Sequence, residues 1–287
     1  MPFACIHTHT CFCDGADDVE SCCQAAYKKG LVSLGFSAHA PVTRKMGIRT
    51  AWHLPDEKLN EYTDTVRAAQ KRWEGKLPIY LGLEVEFISG IMGPADSDYR
   101  TMGLDFIIAS VHYVIPPKGE PFTVDDSMEN VDKGIRECYG GDPTGMVEAY
   151  WDAEEAMIRA GSFDLLGHPD LIRKNNTGQC LFPEDDKYYR RANSIAVLMA
   201  ETQVRAELNT GGMNRGKTKD CYPSSRFLTF FHEQGVPMVI NADAHRAEDL
   251  DGHYEVARQT LLAAGYTETL IFEGRRDGRA LWGSIKL

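Results

Sequence analysis

The sequence contains no apolar stretch that approaches about 18 residues, the minimum for a membrane-spanning helix, so we expect no membrane association. Its eight cysteines include no Cys-x-x-Cys pair, which argues against a structural zinc finger and a thioredoxin-like redox site. The first residues, MPFACIHTHT, lack a basic segment followed by an apolar one, so we expect no secretory signal. These absences together predict a cytoplasmic protein with reduced thiols.

An excess of basic residues is also missing. The 287 residues include 31 Lys and Arg against 42 Asp and Glu, which gives a formal net charge of −11. Such a balance does not suit a nucleic-acid groove, so we expect no nucleic-acid partner. An acidic protein that binds an anionic substrate must reverse its electric field locally, and bound metal ions do this effectively. The sequence does not determine the oligomeric state.

Short apolar runs alternate with longer helix-like segments along the whole chain. Runs of this kind are typical of strands buried on both faces of a parallel sheet. The predicted strands are Phe3–Ile6, Leu31–Phe36, Ile79–Val85, Phe106–Val111, Phe163–Leu166, Arg205–Leu208 and Pro237–Asn241. The predicted helices are Asp18–Lys29, Asp56–Glu74, Gly145–Ala160, Glu184–Gln203, Pro223–Gln234 and Tyr254–Ala264.

This alternation predicts parallel β/α units within a single α/β domain. The pattern alone leaves open whether the sheet closes into a barrel. Two segments rich in Gly, Asp and Pro, Ile88–Leu104 and Pro116–Asn130, are predicted to be surface loops.

Six of the nine histidines follow a predicted strand directly or within a few residues, and three carboxylates have the same placement. In a β/α barrel such positions meet at one rim. Nine such groups would be costly to bury together unless cations compensate their charges, so they predict a metal centre. They are His7, His9, Asp14, His39, Glu84, His112, His168, Asp243 and His245. The other histidines, His53, His232 and His253, lack this placement, and we expect structural or solvated roles for them.

Two pairs with i, i+2 spacing, His7-x-His9 and Asp243-x-His245, support this prediction. In extended backbone, residues i and i+2 point to the same side, so each pair can bind one ion or two adjacent ions. Imidazole and carboxylate ligands suit zinc, iron and manganese. Cys11 and Cys13 lie close by in the sequence, and we expect them to be small core or loop residues.

Seven segments carry a resemblance to a known family, in that family's order and over nearly the whole chain. They are HTHTCFCDG at 7–15, GFSAHAP at 35–41, GLEVEF at 82–87, IIASVHYV at 107–114, DLLGHPDLIRK at 164–174, AELNTGG at 206–212 with YPSS at 222–225, and NADAH at 241–245. The chain resembles the PHP (polymerase and histidinol phosphatase) superfamily, most closely its histidinol-phosphatase branch. The resemblance implies a distorted seven-stranded (β/α) barrel and a site for three divalent ions, either Zn, Fe or Mn.

The resemblance also implies which residues hold each ion. His7, His9 and Asp243 correspond to the ligands of the first ion, Glu84 to the bridge, His112 and His168 to the ligands of the second ion, and Asp14, His39 and His245 to those of the third.

Hydrolysis of L-histidinol phosphate to L-histidinol and phosphate, a step of histidine biosynthesis, is the implied reaction, with water activated by the cations. Asp243, His245 and Glu84 are the predicted catalytic residues, and Asp243 or His245 would assist proton transfer to the leaving alkoxide. Arg173 and Arg215 follow the fifth and sixth strand motifs and are predicted to bind the substrate phosphate. Arg44 and Lys45 are weaker candidates, whereas Ser110 and Ser224 are predicted to be a strand end and a helix cap.

Three other functions stay open at this point. In the first, the chain is a phosphoesterase of the family that it resembles but acts on another small phosphomonoester or on a nucleotide. His-x-His at the first strand also occurs in amidohydrolases, although Glu84 stands where those enzymes often use a modified lysine. The third alternative is a binding module in which metals have only a structural role. Trp52, His53 and Tyr113 are candidates either for flanking the substrate imidazole or for packing in the core or a lid.

Overall fold

A computed structural model describes residues 3–47 and 50–287 of the chain. The strands are β1 (Ala4–Cys5), β2 (Ser33–His39), β3 (Ile79–Glu86), β4 (Phe106–Ser110), β5 (Tyr113–Val114), β6 (Phe122–Thr123), β7 (Leu165–Leu166), β8 (Arg205–Asn209), β9 (Met238–Asn241), β10 (Glu268–Arg276) and β11 (Arg279–Lys286). The α-helices are α1 (Val19–Lys29), α2 (Thr43–Met46), α3 (Leu59–Arg72), α4 (Ser97–Thr101), α5 (Met128–Tyr139), α6 (Thr144–Ala160), α7 (Asp186–Thr202), α8 (Gly211–Asn214), α9 (Ser225–Glu233) and α10 (Tyr254–Ala264).

The seven predicted strands form a parallel sheet in the order β1-β2-β3-β4-β7-β8-β9. Its two ends meet at an isolated parallel bridge between Thr8 and Ala244. There the amide of His9 donates to the carbonyl of Ala244 at 2.8 Å, and the amide of Ala244 donates to the carbonyl of His7 at 3.0 Å. The predicted fold class, a single α/β domain built on a distorted seven-stranded barrel, is therefore confirmed.

Alternate residues of each strand face the helices or the barrel interior, as expected for period-2 strands. On β3, Leu81 and Leu83 pack in the large outer core with the helices, whereas Gly82 faces inward. The ring of Phe106 fills the interior beside two inward-facing glycines. A Cβ atom on Gly35 or Gly82 would lie 2.9 or 2.4 Å from that ring, so both positions need glycine. The apolar packing thus fills the middle of the barrel and leaves polar residues to its carboxyl end.

The hairpin β10–β11 was missed by the sequence prediction, which ended at Ala264. Strand β10 pairs parallel to β9 through Leu270 and Val239, and β11 pairs antiparallel to β10. Phe272 of the hairpin packs against Tyr80 and Phe106, with ring centroids 4.8 and 5.4 Å apart. The hairpin therefore covers the amino-terminal end of the barrel, opposite the predicted site. Most of its residues are exposed or half-buried, and so it carries little apolar signal.

The predicted helices are confirmed with small changes at their ends, and α10 has the predicted bounds. Helix α1 begins at the N-cap Asp18, whose side chain accepts from the amide of Ser21, and ends at Gly30 with φ 74°. The prediction of a surface loop at Pro116–Asn130 is wrong at its end, because α5 begins at Met128. Among the described residues, the structure contains no helix that is both long and apolar enough to cross a membrane.

The cysteines are all free thiols in the structure. Cys5, Cys22, Cys23 and Cys221 are buried, whereas Cys11 is exposed in the turn that follows His9, which fits the expectation of a core or loop residue. Cys13 is half-buried, and its Sγ lies 3.5 Å from Nδ1 of His9.

Candidate metal centre

The nine predicted metal ligands lie together at the carboxyl end of the barrel, within the strands or just after them. Seven of them are buried, His245 is half-buried, and Asp14 is the most exposed, with 29% of its side chain accessible. Parallel strands bring their carboxyl ends to one rim, which explains why residues so distant in sequence meet there.

Glu84 lies at the centre of the group. Its Oε2 atom is 3.3 Å from Nε2 of His7, 3.5 Å from Nε2 of His9 and 2.9 Å from Nδ1 of His39. Its Oε1 atom is 2.8 Å from Nε2 of His168 and 3.7 Å from Nε2 of His112. The hydroxyl of Ser110, at the end of β4, donates to the same Oε1 at 2.7 Å. One buried carboxylate thus faces five imidazoles, a geometry suited to a bridging ligand.

Asp243 is the second buried carboxylate of the group. Its Oδ1 atom lies 3.2 Å from Nε2 of His9 and 3.6 Å from Nε2 of His7. The backbone of Asp243 has φ 46°, in the left-handed region that non-glycine residues seldom occupy. A Cβ atom on Gly211 would lie 2.5 Å from Oδ2 of Asp243, so this glycine leaves room for the carboxylate. Such strain is typical of residues fixed at functional sites.

Asp14 closes the side of the group nearest to solvent. Its Oδ2 atom is 3.1 Å from Nε2 of His245, and its Oδ1 atom is 3.7 Å from both Nε2 of His39 and Nδ1 of His9. The ring of His9 stacks on that of His245, with centroids 4.3 Å apart. The predicted third set, Asp14, His39 and His245, is therefore brought together, and His9 lies beside it.

Several buried polar atoms in this group lie close to one another but form no hydrogen bond of suitable geometry among the described residues. They are Nε2 of His7, Nε2 of His9, Nδ1 of His39 and Oε2 of Glu84. Buried polar atoms almost always have a hydrogen-bond partner. A group of buried nitrogen and oxygen atoms that lack one and point toward one another is therefore suited to bind cations. Four overlapping sets have ligand atoms within 4.8 Å of one another: His9, Asp14, His39 and His245; His7, His9 and Asp243; His7, Glu84 and His168; and His39, Glu86 and His112. The residues present are suited to divalent metal ions.

The charges of the group keep its carboxylates ionised. Burial opposes ionisation of Glu84, but His39, His7 and His112 outweigh it and hold the pKa of that carboxyl well below its ordinary value. Burial likewise opposes ionisation of Asp243, and Arg215 and His7 lower its pKa. Anionic carboxylates are the form that binds metal ions.

The histidines are affected in opposite directions. Burial lowers the pKa of His9 to about 3, and the neighbouring His39 and His245 add to this effect. For His112, burial is outweighed by Glu86 and Glu84, which raise its pKa to about 10.

Glu207, on β8, is a site residue that the sequence prediction missed. Its Oε2 atom lies 2.9 Å from Nδ1 of His7, and its Oε1 atom accepts from the amide of His168 at 2.7 Å. Asn209 and Asn241 donate to it at 2.7 and 2.9 Å. A carboxylate on one imidazole nitrogen directs the other nitrogen toward a metal. The motif AELNTGG, in which Glu207 precedes Asn209 by two positions, was the available signal.

Glu86 makes the corresponding contact with His112. Its Oε1 atom is 2.6 Å from Nδ1 of His112 and 3.5 Å from Nε2 of His53. Since Glu84 and Glu86 are two residues apart on β3, both point inward, and this spacing was a signal that we overlooked. His53 was predicted to have a structural or solvated role; the structure buries it in the site, with Nδ1 2.6 Å from the hydroxyl of Thr50.

The two predicted phosphate-binding arginines lie in different surroundings. Arg215 extends into the site: its guanidinium donates to Oδ2 of Asp243 at 3.0 Å and lies 2.7 Å from Nδ1 of His245. Arg173 faces a separate surface pocket, where Nε donates to Glu184 at 3.1 Å. Its guanidinium also lies 3.8 Å from Asp170. The geometry therefore favours Arg215 for phosphate binding and does not favour Arg173.

Arg44 and Lys45 were the weaker candidates for phosphate binding. They form surface ion pairs with Asp56 and Asp96, respectively, at 3.5 Å each.

The site opens into a cavity of about 310 Å³. One part of its lining consists of candidate metal ligands together with Arg215. We call these residues the inner wall and the other lining residues the outer wall, which are Trp52, Thr123, Asp125, Asp126, Leu171 and Lys174. The volume is sufficient for a small ligand rather than for a polymer.

Residues 6–211 match the family profile described as the PHP domain, which covers well over half of the chain. The chain belongs to the PHP family. This confirms the resemblance that the motifs indicated, and it agrees with the barrel fold and the rim position of the histidine-rich site.

Two curated relatives of this PHP chain are each 27% identical to it. One is named "Probable histidinol-phosphatase", from Deinococcus radiodurans, and the match spans 94% of this chain and 96% of the relative. The other is a histidinol-phosphatase of Bacillus subtilis, and the match spans 87% of this chain and 96% of the relative. The similarity therefore extends over whole proteins.

Solved structures of the same family agree with the fold. A histidinol phosphate phosphatase of Lactococcus lactis, complexed with zinc, L-histidinol and phosphate, has a TM-score of 0.68 at 21% identity, over 96% of this chain and 99% of that one. A structure described as a candidate histidinol phosphatase of Listeria monocytogenes has a TM-score of 0.78 at 23% identity, over 88% and 99% of the two chains.

Proposed function

We propose that this PHP chain is a histidinol-phosphatase, which hydrolyses L-histidinol phosphate to L-histidinol and phosphate with three divalent metal ions. The observation that carries the proposal is the convergence of five imidazoles on the buried carboxylate of Glu84, beside Asp243 and Arg215. The two curated relatives, similar over nearly their whole lengths, support the choice of substrate.

The nine side chains divide among the ions as the resemblance implied. We assign His7, His9 and Asp243 to the first ion, Glu84 to the bridge, His112 and His168 to the second, and Asp14, His39 and His245 to the third. The unsatisfied atoms of His7, His9, His39 and Glu84 support this assignment. Zinc, iron or manganese would fit such a mixed set of imidazoles and carboxylates.

Divalent cations, when bound, lower the pKa of water and neutralise charge on the phosphoryl group. The protein's own contribution is the placement of its side chains. Glu207 and Glu86 fix the rings of His7 and His112 through their Nδ1 atoms, so that both Nε2 atoms face Glu84. Arg215 supplies guanidinium donors at the rim, which can bind two phosphoryl oxygens in a bidentate manner.

Proton transfer to the leaving alkoxide falls to Asp243 or His245. His245 is half-buried and lines the cavity, and its Nδ1 atom is 3.5 Å from Oδ1 of Asp243. A group that gives a proton to an alkoxide must reach the substrate and must first take up that proton. Both side chains line the cavity, and either would take the proton from the attacking water and pass it to the alkoxide. We assign Glu84 a catalytic role as the anion that holds the ligand set together.

A turnover assay on the purified protein tests this proposal. Phosphate release would be measured with L-histidinol phosphate beside AMP, glucose 6-phosphate and glycerol phosphate, and the metal content determined by elemental analysis of the same preparation. We expect a kcat/KM for L-histidinol phosphate at least 100-fold above the others, about 3 kcal/mol of discrimination. Equal turnover of all four esters, or preference for AMP, would reject this substrate. Protein free of metal with full activity would reject the mechanism.

A further inference from the structure

The two walls of the active-site cavity differ in chemistry. The inner wall holds the candidate metal ligands and Arg215, which suit the phosphoryl group. The alcohol part of a phosphomonoester bound there has to extend toward the outer wall. Those outer-wall side chains that have a hydrogen-bonding position or a ring face left for a ligand therefore decide which alcohol the enzyme accepts.

Asp125 is an ionised carboxylate in this outer wall. Its Oδ2 atom accepts from Nζ of Lys174 at 2.9 Å, its side chain is 21% accessible, and it lines the cavity. Burial opposes ionisation of Asp125, but Lys174 and His112 outweigh it and lower the pKa. A carboxylate offers about four acceptor positions on its two oxygens, so Asp125 can bind a second cation while it keeps Lys174.

The neighbouring Asp126 differs from it although both carboxylates line the cavity. Both oxygens of Asp126 are engaged at the start of α5: Oδ1 accepts from the amide of Ser127 at 2.6 Å, and Oδ2 accepts from Nδ2 of Asn130 at 3.0 Å. Its side chain has a capping role, and it is exposed. Asp126 thus provides a matched control with the same charge in the next position.

Asp125 is held in place by contacts between two loops. Besides the ion pair with Lys174, Nδ2 of Asn175 donates to the carbonyl of Asp126 at 2.7 Å. These contacts join the segment after β6 to the 3₁₀ turn at Leu171–Asn175, which follows His168. A carboxylate fixed in this way loses little conformational freedom when a ligand binds to it.

Trp52 adds a flat aromatic surface to the same wall. Its ring packs on that of His53, with centroids 3.6 Å apart, and lies nearly parallel to that of Tyr113, with an interplanar angle of 14° and centroids 5.8 Å apart. It also meets the ring of His39 edge-on at 4.8 Å and lines the cavity. Planar or cationic groups pack well on such a face. The outer wall thus combines one available anion with one aromatic face.

We propose that Asp125 is the specificity-determining residue for the alcohol part of the substrate and that it binds a primary ammonium group, with the planar ring of the substrate against Trp52. This inference deepens the proposed function and rests on it. The site is thereby matched to phosphomonoesters whose leaving group carries a positive charge near a flat ring. A phosphomonoester with an uncharged leaving group offers Asp125 no cationic partner in addition to Lys174.

The test compares two substrates that differ in the ammonium group alone. They are L-histidinol phosphate and 3-(imidazol-4-yl)propyl phosphate, which keeps the imidazole and lacks the amine. Steady-state kinetics of the metal-loaded wild type, Asp125→Asn and Asp126→Asn with both esters form a double-mutant cycle, which isolates the coupling between the carboxylate and the ammonium. Turnover of the amine-free ester by each variant also reports that its fold is intact.

We expect Asp125→Asn to lower kcat/KM for L-histidinol phosphate by roughly 10- to 100-fold, as for a lost charge-assisted hydrogen bond, mainly through KM. The same variant should keep kcat/KM for the amine-free ester within about threefold of wild type. Asp126→Asn should change neither ester by more than about threefold. An equal loss for both esters in Asp125→Asn, or a selective loss in Asp126→Asn, overturns the inference.

Failure of the proposed function gives a different result. Wild-type enzyme would then hydrolyse L-histidinol phosphate no better than the other esters of the panel. In that event phosphoethanolamine and ethyl phosphate replace the two substrates, and a selective loss for phosphoethanolamine in Asp125→Asn still supports the ammonium site. Equal losses for these two esters reject it.

Discussion

Nδ1 of His7 lies 2.9 Å from Oε2 of Glu207, and both side chains are fully buried. This contact assigns the proton of His7 to Nδ1 and leaves Nε2 directed at Glu84 and Asp243. Glu207 and the other negative groups outweigh the effect of burial and raise the pKa of His7. Contacts of this kind fix ring orientation and increase the basicity of the nitrogen that binds metal.

The substitution Glu207→Gln should weaken metal binding without removing any proposed ligand. Loss of the supporting carboxylate at a metal-bound histidine typically lowers affinity about 10- to 100-fold. We expect the variant to lose metal during dialysis that leaves the wild type loaded, and to regain most of its activity at high metal concentration. Metal content and kcat measured across a metal titration provide the check.

Glu201→Gln, on the exposed surface at the end of α7, is the matched control and should behave as the wild type. A Glu207→Gln protein with unchanged metal affinity and a low kcat that excess metal does not restore would contradict the orienting role.

Chelation should abolish activity and also lower thermal stability, because it leaves charged groups buried without compensation. A ligand present at 1,000 times its Kd contributes about 4 kcal/mol. For a chain of this size we expect a loss of roughly 10 °C in Tm, since each kcal/mol corresponds to about 2–4 °C. Differential scanning calorimetry before chelation, after it and after metal is added back measures the change. Equal Tm and activity in all three samples would disprove a metal centre.

Arg215→Ala and Arg173→Ala should have different consequences. Arg215 reaches Asp243 in the active-site cavity, so its loss should lower kcat/KM on L-histidinol phosphate by about 100-fold or more, as when a charged transition-state donor is removed. Arg173 pairs with Glu184 away from that cavity, so Arg173→Ala should keep kcat/KM within about threefold and lower Tm instead. Kinetics and melting curves of both variants decide which of the two arginines binds the substrate phosphate. A large loss of kcat/KM in Arg173→Ala would restore the original expectation of phosphate binding.

Glu154 predicts a pH dependence of stability. Burial raises the pKa of this carboxyl, which accepts from the hydroxyl of Tyr150 at 2.9 Å, to about 8. Because the folded pKa lies above the ordinary value of 4.5, the contribution to stability is complete below about pH 4.5 and is lost as the pH rises through 8. Glu154→Gln cannot ionise, so its Tm relative to wild type should rise by roughly 2 °C or more between pH 5 and pH 8.5.

Glu155→Gln, on the same helix but half-exposed, controls for the loss of one charge and should show no such trend. A Tm difference between Glu154→Gln and wild type that is the same at both pH values would show that Glu154 is not protonated in the folded protein.

The alternating pattern was sufficient to predict parallel β/α units because the strands are buried apolar runs, whereas closure of the sheet into a barrel was implied by the family resemblance. The strands β2 and β3 are almost wholly buried, so their sequences differ clearly from the surrounding helices. The hairpin and α5 were missed for the opposite reason: α5 buries only Val131 and Ile135, and the hairpin is largely exposed. The apolar pattern of the sequence therefore indicates which segments are buried more directly than it indicates which segments are helices or strands.

The candidate site was predictable to the extent that its side chains follow strand ends. All nine predicted ligands meet this condition, and the structure brings them together, with Asp14 at the solvent side. Glu207 and Asp125 were missed because their roles depend on contacts across the barrel. Glu207 reaches a histidine 200 residues away in sequence, and Asp125 pairs with Lys174 on another loop. Spacing within one segment could have marked Glu207 as a polar strand-end residue, but it does not predict either of these partners.

The hairpin at the amino-terminal end of the barrel has a kinetic consequence. With Phe272 packed against Phe106 on that side, the ester enters through the cavity mouth, and both products have to leave through the same mouth. Because we propose that phosphate binds to the metal ions and Arg215 while the alcohol contacts the other lining residues, we expect the alcohol to depart first. Phosphate should therefore inhibit competitively with respect to the ester, whereas histidinol should inhibit in a noncompetitive pattern.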